Sequence, residues 1–195
     1  MQADLETKTT EIKAARTELN NLRMETDVLK AERKQNIRRM VDQEARSRRN
    51  NLIFHGIPET EEENCEDKLI QFVKEKLKVE ISPTAVQRAH RLGKPRSRNN
   101  IGNLAFTPRP MIVLFSDFKQ KEMIRKQRFE LQRPFGISED LPIEIRRARK
   151  SLENVIKDLK SQGKKVAIIY PCRLLINGQI DKTTHVDIAE FSNVE

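Results

Sequence analysis

The first 48 residues contain neither glycine nor proline. An unbroken stretch of that length and composition has one regular structure open to it, a long α-helix. Leu5, Ile12 and Leu19 repeat every seven residues, and Ala15, Leu22 and Leu29 sit three places later in successive heptads. A seam of period 3.5 is the pattern of a coiled coil. It weakens at Thr26, Arg33 and Asn36, which fall on core positions. It resumes out of register through Ile37, Met40 and Val41, as a stutter allows. A helix this polar is marginal alone, so self-association through Leu5, Ile12, Leu19, Leu22 and Leu29 is expected. The bland alternative is a single solvated helix.

After the basic junction RSRRN at 46–50 the pattern changes. Asn51 to Ile57 is a mostly apolar strand ended by Pro58. An acidic stretch leads into a helix with Cys65, Leu69, Phe72, Val73 and Leu77 on one face. Ser82-Pro83 breaks the chain, and Ala85 to Leu92 reads as a second strand. Residues 93–108 form a long polar connection, and Met111 to Phe115 is a third strand. Ser116 or Asp117 caps a second helix with Phe118, Ile124 and Leu131 as apolar contacts. Pro134 to Ser138 is a fourth strand. The order β-α-β-β-α-β is the ferredoxin-like arrangement of the RNA recognition motif.

A smaller unit follows. A helix starts at Asp140 or Leu141, with Pro142 in its first turn, and Ile145, Ala148, Leu152, Val155, Ile156 and Leu159 line one face. Gly163 is its expected C-cap. Val166 to Tyr170 and Arg173 to Ile176 read as strands, and Asn177-Gly178 is a two-residue hairpin signal. The tail from Thr184 reads as one more short helix. The expected architecture is α+β: a coiled-coil helix over 1–48, a recognition-motif-like domain over 49–139, and a small α/β domain over 140–195.

The chain has 38 Lys and Arg against 29 Asp and Glu, a formal charge of +9 and a pI near 9.7. A polyanion is the partner such a balance suits, although histones and membrane-surface proteins share it. The charge is concentrated. From Val86 to Arg109 there are six Lys or Arg and no acid. Arg88, Arg91, Lys94, Arg96, Arg98 and Arg109 are therefore the leading phosphate contacts, since a guanidinium both donates a fork of hydrogen bonds and stacks on bases. Arg125 and Arg128 on the second helix are further candidates. The bland reading of each is a wet, solvated surface.

Other chemistry finds no footing. His55, His90 and His185 are scattered, with no Cys or His at metal-ligand spacing. No phosphate loop or nucleophile motif appears, so neither catalysis nor a cofactor is expected. Glu61, Glu62, Glu63, Glu66 and Asp67 read as a solvated helix start. Cys65 and Cys172, far apart, fit a reduced cytosolic or nuclear protein better than a disulfide framework. No stretch reaches membrane-spanning length.

Taken in order, NLIFHGIPE at Asn51, RPMIVLF at Arg109, SEDLP at Ser138, RRARK at Arg146 and IIYPCRLLING at Ile168, behind a heptad stalk, resemble a known family. It is the RNA-binding first-open-reading-frame protein of LINE-type, non-LTR retrotransposons. The resemblance covers nearly the whole chain and implies a coiled coil that trimerises, an RNA recognition motif and a small C-terminal domain. It implies a non-enzymatic coat and annealing chaperone for element RNA in cytoplasmic ribonucleoprotein particles, with the nucleus as a second location. Single-stranded RNA, DNA as a further ligand, a homotrimer in preference to a dimer, and the element's reverse transcriptase are the implied partners. Arg149 and Tyr170 are the RNA contacts it picks out in the C-terminal unit. Arg39-Met40-Val41-Asp42-Gln43-Glu44 only approximates the family's trimer motif, because Gln43 is not apolar.

One departure from ordinary recognition motifs is visible in the residues. The stacking positions hold Ile53, Pro110 and Ile112, while Phe54 and Phe115 are expected in the core. Binding then leans on charge, with broad specificity and strong salt dependence. The rival from another class is a coiled-coil structural adaptor with an incidental basic domain, which predicts heteromeric pairing and little retained RNA.

Overall fold

The heptad-bearing stretch folds as one helix, α1 (Gln2–Ser47), without a break. The computed structural model describes residues 2–94, 107–184 and 186–192, with side chains from residue 7 onward. It is a mixed α+β protein in which a long N-terminal helix is followed by antiparallel sheets. Two compact units can be distinguished, Glu44–Pro142 and a second made of Met1–Gln43 with Ile143–Glu195.

The Glu44–Pro142 unit is built on β1 (Asn51–His55), α2 (Cys65–Phe72), β2 (Val86–Arg91), β3 (Met111–Phe115), α3 (Phe118–Lys126) and β4 (Gly136–Glu139). The sheet order is β2-β3-β1-β4, antiparallel throughout. Leu52 and Phe54 of β1 and Met111, Val113 and Phe115 of β3 are fully buried, so one sheet face is core. Leu69, Phe72 and Val73, spaced at helical intervals, cover it together with Ile124 of α3. Phe72 meets Phe54 and Phe135 edge-on, with ring centroids 6.2 and 5.2 Å apart.

Both helices are capped as their sequences direct. The Asn64 side chain accepts from the amides of Glu66 and Asp67, and Asp117 accepts from those of Lys119 and Gln120. Past α2 the chain widens into a π turn over Val73–Leu77 and leaves it through Lys78 in left-handed geometry. Gly56, just after β1, also has positive φ, and a Cβ built there would collide with the Pro134 carbonyl. Only glycine lets the β1 exit and the approach to β4 lie this close. Asp140, just past β4, accepts from Arg48 at 3.2 Å and from Asn51 at 2.9 Å, pinning the start of β1.

The second unit contains α4 (Ile143–Ser151), α5 (Glu153–Ser161) and a small sheet of β5 (Val166–Ile169), β6 (Arg173–Ile176) and β7 (Gln179–Ile180). Ala148, Leu152, Cys172 and Leu174 form its core. Asn177 and Gly178 both have positive φ, the geometry of the tight hairpin their dipeptide predicts. Gly163, at φ +77, ends α5. The single helix expected over this region is instead two. The Ser151 hydroxyl donates to the Ala148 carbonyl at 2.8 Å, and the Leu152 amide turns to Arg149 at 3.2 Å. The i→i−3 bond of the Leu152 amide tightens the chain there and interrupts the regular α-helical ladder.

Candidate nucleic-acid interface

The face of the four-stranded sheet opposite the core is set by strand alternation. Arg88 stands opposite Leu114, and Leu114 opposite Asn51. In the next row His90, Ile112, Ile53 and Ser138 lie side by side. Arg88 and His90 are exposed, and Ile53, Ile112 and Leu114 are half-buried. No aromatic side chain stands in these rows, since Phe54 and Phe115 are wholly in the core. An irregularity between Val86 and Arg88 shifts the register of β2, so that Val86 points into the core and Arg88 out of it. Arg88 makes no ion pair or hydrogen bond among the described residues, so its five donors are open to a partner. His55 lies near by, its Nε2 2.8 Å from the Ser138 hydroxyl, and burial lowers its pKa.

Arg91, one turn of the pleat further along, is a different kind of residue. Its side chain is 4% exposed and faces inward. Nε bonds Glu63 at 2.6 Å, one terminal nitrogen donates to the carbonyls of Ile57 and Arg109, and the other donates to the Pro58 carbonyl and to Glu63. All five donors of the guanidinium are used within the protein. Burial pushes the Glu63 carboxyl up, but hydrogen bonds from Arg91, Lys68 and the Thr60 amide hold it at about 2. Arg109 is engaged in the same region, bonded to Glu59 and, at 3.2 Å, to the Gly93 carbonyl. The hydrogen bond from Arg109 lowers the Glu59 pKa. These two pairs staple the chain after β1 to the two ends of the basic connection. Lys94, within that connection, is exposed, and Arg96 and Arg98 lie outside the described residues.

On α3, Arg125 forks onto Glu122 at 2.7–3.0 Å, with Glu139 at 3.9 Å. The same hydrogen bond holds Glu122 at about 2. Arg128 lies one turn on, in a 3-10 turn over Gln127–Glu130, with its guanidinium 4.5 Å from the centre of the Phe129 ring. Phe129 was not among the residues that patterning singles out; no period reaches a lone aromatic in a short turn.

In the second unit the structure brings Arg149 and the Tyr170-Pro171 corner together, Nε donating to the Pro171 carbonyl at 2.9 Å. The Tyr170 hydroxyl donates to Asp42 of α1 at 3.1 Å, and the residue is 45% exposed. Arg38 forks onto Asp187 at 2.7 and 3.0 Å, and Lys34 bonds Glu190 at 3.3 Å. Lys34, Arg38 and Asp42 recur every fourth residue along one side of α1. Ile12, Leu19, Leu22 and Leu29 are each about half exposed, while the side chain of Leu5 lies outside the described residues. Ile37, on the resumed stripe, is half-buried. Val41 is buried and Met40 is 67% exposed, about 100° round the helix from it.

Both cysteines are free. Among the described residues no helix is long and apolar enough to cross a membrane. No protein-family model matches the chain. The chain is similar to a mouse protein named LINE-1 type transposase domain-containing protein 1, with 26% identity over 159 residues. That match covers 78% of this chain and 20% of the mouse protein, so the chain spans about a fifth of its relative's length. The similarity links the chain to LINE-1-related sequences.

Proposed function

We propose that this chain is a self-associating, single-strand-preferring RNA-binding protein of a LINE-type element. It acts as a particle coat and annealing chaperone and catalyses no reaction. The observation that carries the reading is the exposed Arg88, without a partner among the described residues, in the acid-free stretch that runs from β2 to Arg109. The strand order β2-β3-β1-β4 within β-α-β-β-α-β supports a recognition-motif fold. The relation to a LINE-1-named protein supports the element assignment.

The exposed heptad side chains of α1 serve self-association as a parallel coiled coil, a trimer in preference to a dimer. Each copy binds weakly and without sequence preference. Several copies on one stalk turn later contacts into intramolecular ones. Weak, exchangeable contacts are what a chaperone needs, since strands must be released to re-pair. DNA is a second ligand, the element's reverse transcriptase a functional partner, and cytoplasmic ribonucleoprotein particles the site of action, with nuclear entry.

RNA titration at several salt concentrations tests the reading. Arg88→Ala should weaken binding to unrelated sequences alike and flatten the log–log salt slope by about 0.7 for each phosphate that the variant no longer reaches. Unchanged affinity and slope would move the site elsewhere. A loss that depends on sequence would point to base readout in place of charge. Little RNA binding together with heteromeric pairing of α1 would favour a coiled-coil adaptor.

A further inference from the structure

We propose that Phe129, backed by Arg128, is a nucleobase-stacking platform. It supplies an aromatic contact that the open sheet face lacks. This rests on the RNA-binding reading above and goes beyond it, from charge to a specific contact.

Phe129 is 77% exposed, more than any other aromatic among the described residues. A lone exposed apolar side chain is ordinary on a protein surface; what sets this ring apart is its arrangement with a cation. Here the arrangement is a guanidinium at 4.5 Å from the ring centre, which occupies one face. The ring's exposure leaves room for a partner on the other. A cation behind a π-face both orients the ring and favours an electron-rich or anionic partner in front.

The 3-10 turn that carries this ring follows α3, which packs on the core side of the sheet. β3 runs to Phe115, α3 runs back along the sheet, and β4 enters at Gly136 opposite His55. The far end of α3 therefore lies at the sheet end where Arg91 leaves β2 and Met111 enters β3. Close approach of Gly56 to Pro134 fixes the following loop there.

Charge selects the occupant. From 119 to 133 the chain carries six Lys or Arg and two Glu. One of those acids, Glu122, is already bonded to Lys121 and Arg125. Lys126 and Arg133, three residues before and four after the ring in the chain, are exposed. A flat apolar face set among unneutralised cations fits a ligand that alternates flat rings with anions, which is single-stranded nucleic acid. A protein partner of acidic, apolar character is the competing occupant.

The chain has no tryptophan, so Phe129→Trp introduces a single fluorescent reporter. A labelled oligouridylate would report total binding by anisotropy, and the indole would report contact at this site. Saturable quenching that tracks the anisotropy, absent with inorganic polyphosphate, is the expected result. Phe129→Ala should weaken oligouridylate binding roughly five- to a hundredfold without changing melting temperature. Anisotropy that rises while the indole stays unquenched overturns the proposal, as does equal quenching by polyphosphate. Quenching on concentrating the protein alone would assign the ring to contact between copies instead. If the unsubstituted chain fails to bind oligouridylate at all, the RNA-binding reading falls and this stacking role falls with it.

Discussion

At the scale of single residues, the arginines divide by what faces them. Arg88 has no partner among the described residues, while Arg91 is closed on every donor by Glu63 and three carbonyls. Removing one member of such a buried pair leaves the other charge unmatched, a loss of about 3 kcal/mol. Glu63→Gln should therefore lower stability at neutral pH by roughly that amount. The pH dependence has a definite sign. Glu63 is held near 2 in the fold against an ordinary 4.5, so its contribution is fully present above about pH 4.5. It is lost as the pH falls through that range toward 2. Melting temperature measured from pH 7 to pH 2 should fall less steeply in Glu63→Gln than in the unsubstituted chain, and parallel curves would show that the pair is not the cause.

Tyr170 poses the opposite question, because its ring is half exposed and its hydroxyl is tied to Asp42. If the ring stacks on a base, Tyr170→Ala weakens RNA binding roughly five- to a hundredfold and Tyr170→Phe keeps most of it. The hydroxyl bond alone is worth about 1 kcal/mol, so Tyr170→Phe should shift the melting temperature only slightly. A Tyr170→Ala protein that melts early yet binds normally when folded would take the ring out of the site.

At the scale of elements, α1 carries two unlike sides. Lys34, Arg38 and Asp42 pair within their own chain, whereas Ile12, Leu19, Leu22 and Leu29 face water. Leu19→Asp with Leu22→Asp should dissociate the multimer expected from light scattering at micromolar concentration, with the sheets still folded. A single-copy mass for the unsubstituted chain would remove the coiled coil from the reading. Much of this architecture was legible, because period and punctuation are local. Asn177-Gly178, the Asp117 cap and the buried face of α2 each follow from neighbours a few residues away. The break at Leu152 was not, since no glycine or proline marks it. Nor was the confinement of Arg91, whose acid lies 28 positions back on another segment. Composition records that the stretch from Val86 to Arg109 lacks acids; it cannot record that acids are brought to it by folding.

At the scale of the whole molecule, a formal charge of +9 does not say how many cations a polyanion can meet. Glu59 and Glu63 are built-in counterions. They neutralise Arg109 and Arg91 from within, so these two displace few of the counterions condensed on a nucleic-acid strand. Two of the six cations in that stretch are therefore withdrawn from phosphate contact. Each contact to single-stranded nucleic acid lowers the log–log salt slope by about 0.7, so the slope of one copy should be shallower by about 1.4 than the bare count of cations in this stretch would give. The fold has thus withdrawn part of its charge from exchange with the solvent, and a salt titration is the balance that weighs what is left.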